Sequence, residues 1–438
     1  MPRRGPGPHR PHSTDDLARD LVGCHMPESG EYTGTVAAHR AGAALRIGFV
    51  FDDTLDTADG VQQHIVTLGR ELARLGHHVE YLVGQTRHSP VPHTHSLSTN
   101  VMVSFNGNRM RIPVSAKGHE LDETLDDGDF DVLDVQAPYS PLLAGRIIAR
   151  AHPSTGVVAT YHIAPTGPLS LGGGVLLGAI NHHTHRRIDV VTAVSDVAAD
   201  YARTTAHAAS TVIPNPIDVA GLLSRRHTAG ADTVHRLHGD GPHVVFMGRF
   251  VARKGAENLL DALRWGEDHD LFPEGLHVTM AGKGPLLEAC RSRAAALRTP
   301  VRFPGFITEA DKPALLGSAD IAVFPSISGE SFGIVLLEAV ASGSHVVLAG
   351  DNPGYRSTLL GDENALFPVK GTSRAQALAE RIQRTLVDGA WSDAMHERQT
   401  ALLHRYDVTT VAPQVLYVYE RAIAQRRAMD GASGSSGR

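Results

Sequence analysis

At 438 residues the chain has room for two domains of ordinary size, and 42% apolar and 20% charged residues with 44 Gly and 25 Pro describe a globular protein, excluding collagen, coiled coil and wholesale disorder. Lys and Arg number 41 against 47 Asp and Glu, a formal net charge of −6, so a general nucleic-acid binder is excluded and any anion site must be local. Cys24 and Cys290 are too far apart in sequence for a disulfide framework or a Cys-x-x-Cys metal pair, which points to a reducing, cytoplasmic setting.

Residues 1–44 carry no sustained helical or strand period and are expected to form a disordered tail. The basic start MPRRGPGPHRPH has no apolar run behind it, and no stretch reaches the roughly 18 apolar residues of a membrane span, so neither export nor a spanning helix is expected. LRIGFVF (45–51) reads as a strand buried on both faces of a parallel sheet. After a polar loop, Val61, Ile65, Leu68, Leu72 and Leu75 recur at spacings of four and three, one face of a helix that closes at Gly76. HVEYLVG supplies the next strand. The same grammar continues through DVLDVQAP (131–138), a helix in LLAGRIIARA, and the strands GVVATYH (156–162), DVVTAVS (189–195) and TVIPNP (211–216).

These elements define a first domain over 45–218, and the polar stretch 219–242 is expected to be an interdomain linker. A second series occupies 243–410: HVVFMG (243–248), LHVTMAG (276–282), VRFPGF, IAVFPS (321–326) and HVVLAG (345–350), with helices from about 255, 285, 309 and 332. A helix over 411–428 should pack on one or both domains, and 429–438 reads as a second disordered tail. Two such series predict an α/β protein of two doubly wound, Rossmann-like domains facing each other across a cleft lined by strand ends.

GESFGIVLLEAVASG (329–343) is the densest candidate for chemistry. Gly329 frees the backbone, and a helix starting at Phe332 would present unpaired N–H groups to an anion. Glu330 and Glu338 would stand about 12 Å apart at ~1.5 Å per residue, the span of a sugar joined through two phosphates to a ribose. A plain alternative makes Glu330 a helix-terminal charge and Glu338 a solvated surface residue. In MGRFVARKG (247–255), Arg249 and Lys254 bring positive charge to a strand end, where a diphosphate could be held or a turn simply solvated. Gly60 in ADGVQQHI and Gly282 in AGKGPLLEA offer weaker backbone cradles between strand and helix, and His162 ends the strand GVVATYH. Asp52 and Asp53 have no clustered third ligand, so no metal is expected.

Taken in order, these segments resemble the retaining glycosyltransferases of family 4, with the GT-B fold, and among them the phosphatidylinositol mannosyltransferases, over about residues 45–425. The resemblance implies that 45–218 is the acceptor domain and 243–410 the nucleotide-sugar donor domain, that Glu330, Phe332, Gly333 and Ile334 hold the donor sugar, Glu338 the donor ribose, Arg249 and Lys254 the diphosphate, and that His162 serves at the reacting centre. Ile307 and Lys312, in PGFITEADK (304–312), correspond to guanine-contacting positions, which implies GDP-mannose. No cofactor is implied beyond the nucleotide-sugar substrate, and the acceptor stays open among lipid, glycan and small metabolite. Two departures stand out: the family's Gly-Gly-Val is Asp59-Gly60-Val61 here, and its Asn-Gly-Val-Asp is Asn215-Pro216-Ile217-Asp218, which predicts stiffer interdomain closure. A nucleotide-sugar epimerase and a non-catalytic nucleotide-sugar-binding subunit are the alternatives. The apolar segment PLSLGGGVLLGAI (168–180), followed by Arg186 and Arg187, suggests peripheral contact with the inner face of a membrane through 168–187.

Overall fold

The computed structural model describes residues 44–105, 108–114, 116–165, 168–228 and 241–435. The first half is built on a parallel seven-stranded sheet. Its strands are β1 (Arg46–Phe51), β2 (His78–Val83), β3 (Thr94–Ser96), β6 (Val132–Gln136), β7 (Gly156–Tyr161), β8 (Val190–Ala193) and β9 (Thr211–Val212), in the order β3-β2-β1-β6-β7-β8-β9. An antiparallel hairpin of β4 (Thr99–Phe105) and β5 (Asn108–Val114), not foreseen from the sequence pattern, stands apart from this sheet.

The second half is a parallel six-stranded sheet in the order β12-β11-β10-β13-β14-β15. It comprises β10 (His243–Met247), β11 (His277–Ala281), β12 (Val301–Gly305), β13 (Ile321–Phe324), β14 (Val346–Gly350) and β15 (Leu366–Phe367). In both sheets the chain runs outward one way, then returns to pair a strand on the far side of the first, β6 on β1 and β13 on β10. That reversal opens a crevice at the carboxyl ends of the strands, where the loops carrying the site residues emerge.

Of the helices, α1 (Gly60–Arg74), α2 (Pro168–Ile180), α3 (Asp196–Ala206), α4 (Val219–Thr228), α5 (Lys312–Gly317), α6 (Ile334–Ser342) and α7 (Val408–Ser435) bear on the site, its surroundings or the joining of the two halves. The spacing of four and three along α1 buries Ile65, Leu68 and Leu72 against Ile47 and Phe49 of β1, whereas Val61 is half-buried and Leu75, expected on the same face, follows the last turn and is 45% exposed. In the second half Val244, Val245 and Phe246 of β10 pack in one core with Leu259, Leu260 and Leu263.

Two expected boundaries change. Residues 219–228, expected as linker, form α4, whose Leu222 is buried and whose start is tied by the Asp218 carboxylate accepting from Gly221 N–H at 2.8 Å. Arg226 of α4 donates to the Gly317 carbonyl at 3.1 Å, so the segment is docked on the second half. Residues 229–240 lie outside the described residues, as do 1–43, where most of the N-terminal tail was expected, and 436–438. The C-terminal helix runs from 408 to 435 rather than 411 to 428, so 429–435, expected as tail, continues it. It returns to the first half, where Tyr419 donates to Asp134 at 2.7 Å and the backbone passes so close that a Cβ on Gly156 would meet Ile423 N at 2.9 Å.

Candidate active site

Both halves line a cavity of about 820 Å³ that contains every sequence-selected site residue: Gly60, His162, Arg249, Lys254, Gly282, Ile307, Lys312, Glu330, Phe332, Gly333, Ile334 and Glu338. The local account of two of them changes. The helix after β13 begins at Ile334, not Phe332, with Gly333 as its cap, so Glu330 and Phe332 belong to a loop and the helical-rise estimate of the Glu330–Glu338 separation does not apply. Gly282 has φ of 139°, and a Cβ there would fall 1.9 Å from the Gly248 carbonyl oxygen, so close packing of two strand ends already requires this glycine. Gly60 is not crowded: a Cβ would meet Ile334 Cδ1 at an ordinary 3.6 Å.

Glu330 is the best-anchored carboxylate. Its Oε1 accepts from Ser326 Oγ at 2.6 Å and pairs with Lys254 Nζ at 2.9 Å and Arg253 at 3.0 Å. Burial raises its pKa, but Lys254, Arg253 and Ser326 more than offset that and hold it below the ordinary carboxylate value. Burial is also the largest influence on Lys254 and leaves its ammonium below the ordinary lysine value despite Glu330. The Arg249 guanidinium is lowered by burial and by the Arg253 charge, with Asp59 and Glu330 opposing. Three cations therefore crowd one carboxylate, an arrangement that an incoming diphosphate would relieve.

Glu338 is not a solvated surface residue. It is buried on α6, and its Oε1 accepts from Lys312 Nζ at 2.6 Å and from Gln63 Nε2 at 3.1 Å. Lys312 also pairs with Glu309 at 2.5 Å. Burial lowers the Lys312 ammonium, and the two glutamates more than offset it, placing its pKa above the ordinary value.

Across the cavity, His162 follows β7 and is buried, its Nε2 lying 2.7 Å from Gln136 Oε1 and its ring meeting His64 edge to face at 4.9 Å. Burial, with a smaller contribution from His64, holds its pKa well below the ordinary histidine value, so the ring is neutral at pH 7. His64 is in turn fixed by Asn215 at 2.9 Å and pushed down to about 4 by burial. The loop carrying Glu330 is stitched to this wall: Ser331 Oγ donates to the His162 carbonyl, and Ser195 Oγ donates to the Ser331 carbonyl, each at 2.5 Å.

Several cleft residues escaped the sequence reading. Arg253 stands inside MGRFVARKG and had the same signal as Lys254. Gln63, Ser326 and Ser331 carry no local signal, since their roles arise from partners elsewhere. Phe306, 61% exposed at the cleft with Lys283 Nζ 5.1 Å from its ring centroid, offers an aromatic face beside Ile307.

Two Rossmann-like sheets with a cation-rich, carboxylate-anchored cleft between them define a glycosyltransferase of the GT-B architecture. Residues 58–221 match the family described as Glycosyltransferase Family 4, and 231–401 the one described as Glycosyl transferases group 1. The phosphatidyl-myo-inositol mannosyltransferase of Mycolicibacterium smegmatis is 32% identical over 380 residues, 86% of this chain and 94% of that protein. That of Mycobacterium leprae is 33% identical over 383 residues, covering 86% and 96%. Among solved structures, a Rickettsia africae glycosyltransferase superposes with a TM-score of 0.64 at 14% identity, over 86% of this chain and 98% of its own. Anabaena HepE, in complex with UDP-glucose, gives 0.63 at 17% identity over 85% and 99%. The chain belongs to the family 4 glycosyltransferases that include the phosphatidyl-myo-inositol mannosyltransferases.

Proposed function

We propose that this glycosyltransferase moves a hexose, mannose from GDP-mannose, to an acceptor hydroxyl with retention of anomeric configuration and without a metal. The observation that carries the reading is Glu330 held by Ser326, Arg253 and Lys254 on the donor wall, with Glu338 held beside it and neutral His162 opposite. In this reading the bond from the anomeric carbon to the diphosphate oxygen breaks, and the acceptor oxygen bonds on the same face. The acceptor proton passes to the departing oxygen. Arg249, Arg253, Lys254 and the backbone N–H groups at the start of α6 stabilise the charge on the leaving diphosphate. His162, being neutral, orients polar groups at the reacting centre and supplies no positive charge. The mannosyl choice draws on the relatives' names, one of which, 31% identical over 158 residues, is a GDP-mannose-dependent enzyme.

The test is a donor panel read by thermal protection and by mass spectrometry of product, with a chelator control. GDP should protect more than UDP or ADP, and GDP-mannose should give slow hydrolysis without acceptor. Greater protection by UDP removes the GDP assignment, and an epimerised sugar would favour the epimerase alternative.

Peripheral membrane contact at a cytoplasmic face belongs to the same proposal. On α2, Val175, Leu176, Leu177 and Ile180 are all exposed, Leu176 by 63%, and Arg186 is exposed beyond them. Arg187, the other basic residue suggested for this role, is committed internally: it pairs with Asp189 at 3.2 Å and donates to the His152 and Thr155 carbonyls. Among the described residues no helix is long and apolar enough to cross a membrane.

A further inference from the structure

We infer that Gln136 is a positioning residue for the reaction: its buried amide holds the His162 ring with the proton on Nε2, so that Nδ1 faces the cleft as a hydrogen-bond acceptor. The inference rests on the glycosyl-transfer reading above and deepens it by fixing what His162 can do there.

Every polar atom of His162 but one is already committed. Its backbone N–H donates to Tyr139 Oη at 2.8 Å, its carbonyl accepts from Ser331 Oγ, and its Nε2 lies 2.7 Å from Gln136 Oε1. His64 meets the ring edge to face and fixes its plane. Nδ1 remains: it has no hydrogen-bond partner among the described residues and opens on the cavity that His162 lines. In a neutral imidazole the bond made by one nitrogen sets the state of the other. An amide oxygen only accepts, so Nε2 carries the hydrogen and Nδ1 keeps its lone pair.

Gln136 is a costly residue for the fold, which argues against a purely structural role. It is the last residue of β6, wholly buried, and its Nε2 has no hydrogen-bond partner among the described residues. An apolar side chain of similar volume would leave no buried donor unpaired. The chain also turns sharply straight after it. Ala137 has a φ of 56°, in the left-handed region that a side chain disfavours, and its N–H donates to the Thr160 carbonyl at 2.9 Å. An unpaired amide beside a strained residue, at the carboxyl end of a central strand, marks a place where the backbone is held to aim a functional group.

The consequence is chemical. In this state Nδ1 accepts from a hydroxyl of the bound sugar or acceptor and has no hydrogen to give to the leaving diphosphate. The proton that reaches the departing oxygen then comes from the acceptor hydroxyl alone, and His162 acts by orientation.

The experiment uses the full chain carrying isotope-labelled histidine, with the His162 nitrogen signals assigned by their absence from His162→Asn. Wild type at pH 7 should show a protonated, pyrrole-type Nε2 and an unprotonated, pyridine-type Nδ1. Gln136→Met, close in volume and without the amide, should lose that single tautomer and lower kcat by about tenfold with little change in donor KM. Gln136→Glu, whose carboxylate can also accept from Nε2–H, should keep the proton there. A proton on Nδ1 alone in wild type overturns the inference, as does loss of Nε2–H in Gln136→Glu, or a Gln136→Met protein whose tautomer or kcat is unmoved. The tautomer is read on the free chain, which keeps the two readings apart: the expected tautomer in a wild type that neither hydrolyses nor transfers any donor sugar sinks the transfer reading, not the assignment of the ring.

Discussion

Ser331 of the donor loop donates its hydroxyl to the backbone carbonyl of His162 at 2.5 Å, joining residues 169 apart in sequence across the cleft. Ser195 closes the same clasp by donating to the Ser331 carbonyl. Glu330 immediately precedes Ser331 and Phe332 follows it, packing on Tyr406 with ring centroids 5.5 Å apart. The position of the Glu330 carboxylate relative to the His162 wall is therefore held by two hydroxyls, those of Ser331 and Ser195, and by the packing of Phe332.

Ser331→Ala removes the first hydroxyl and leaves the His162 carbonyl without it, a loss of about 1 kcal/mol if the halves stay closed. The expected result is a several-fold fall in kcat with little change in donor KM, checked by steady-state kinetics. Ser331→Thr, which keeps the hydroxyl, should retain more activity than Ser331→Ala.

Lys254→Ala should lower turnover by about 10² while the fold survives, because Arg253 and Ser326 still hold Glu330 but one preorganised cation at the diphosphate is gone. Single-turnover assays with circular dichroism check it. Lys254→Ala with wild-type turnover would place the diphosphate elsewhere.

Lys312→Met leaves Glu338 and Glu309 facing each other without their shared cation. Since Lys312 and Glu338 are both about nine-tenths buried, the expected loss of stability is about 3 kcal/mol. Adding Glu338→Gln to the same chain should restore part of it, because the uncompensated buried charge disappears. A double-mutant cycle followed by urea unfolding measures the coupling.

Asp134 gives a pH signature. Burial raises its carboxyl to about 6 from 3.8, with the Tyr419 and Thr160 hydrogen bonds opposing. A raised carboxyl pKa means the folded state holds the proton more tightly than the unfolded one. Stability from this group is therefore fully present below pH 4 and is lost as pH rises to about 6. Asp134→Asn should match wild type near pH 4 and exceed it at pH 7 by up to about 3 kcal/mol. Unfolding midpoints across pH 4 to 8 check the sign, and a variant less stable at pH 7 than at pH 4 relative to wild type would contradict it.

Membrane contact through α2 predicts co-sedimentation with anionic vesicles that is weakened by Leu176→Ser with Ile180→Ser, and by Arg186→Glu at low salt. Arg187 is unsuitable as a probe because its substitution would break the Asp189 pair. Absence of pelleting by wild type would favour a soluble acceptor.

The sequence alone determined most strands of the two parallel sheets and the two-half architecture, while the β4–β5 hairpin and the short β3 and β15 escaped it. Continuous apolar runs such as LRIGFVF and the i, i+3, i+4 stripe of α1 are local consequences of burial, readable wherever the chain stands. Glu330, Arg249 and Lys254 were legible for a related reason: each lies in the loop just past a strand end, of β13 or β10, whose position the pattern fixes, and Glu338 stands on the helix that follows. What only the tertiary structure decided is which partners these groups meet. Glu338 stays open between a site residue and a solvated surface residue until Lys312 and Gln63 are brought onto it, and Gln63 lies 275 residues away. The helix at 219–228 was hidden because its buried face exists only against α5 and α6. Arg187 reads like Arg186 until folding delivers Asp189 and two carbonyls to one of them. Periodicity reports which face of an element avoids water, but a charge or hydroxyl is neutralised by whatever the other half of the molecule places opposite it, and that partner carries no local signature.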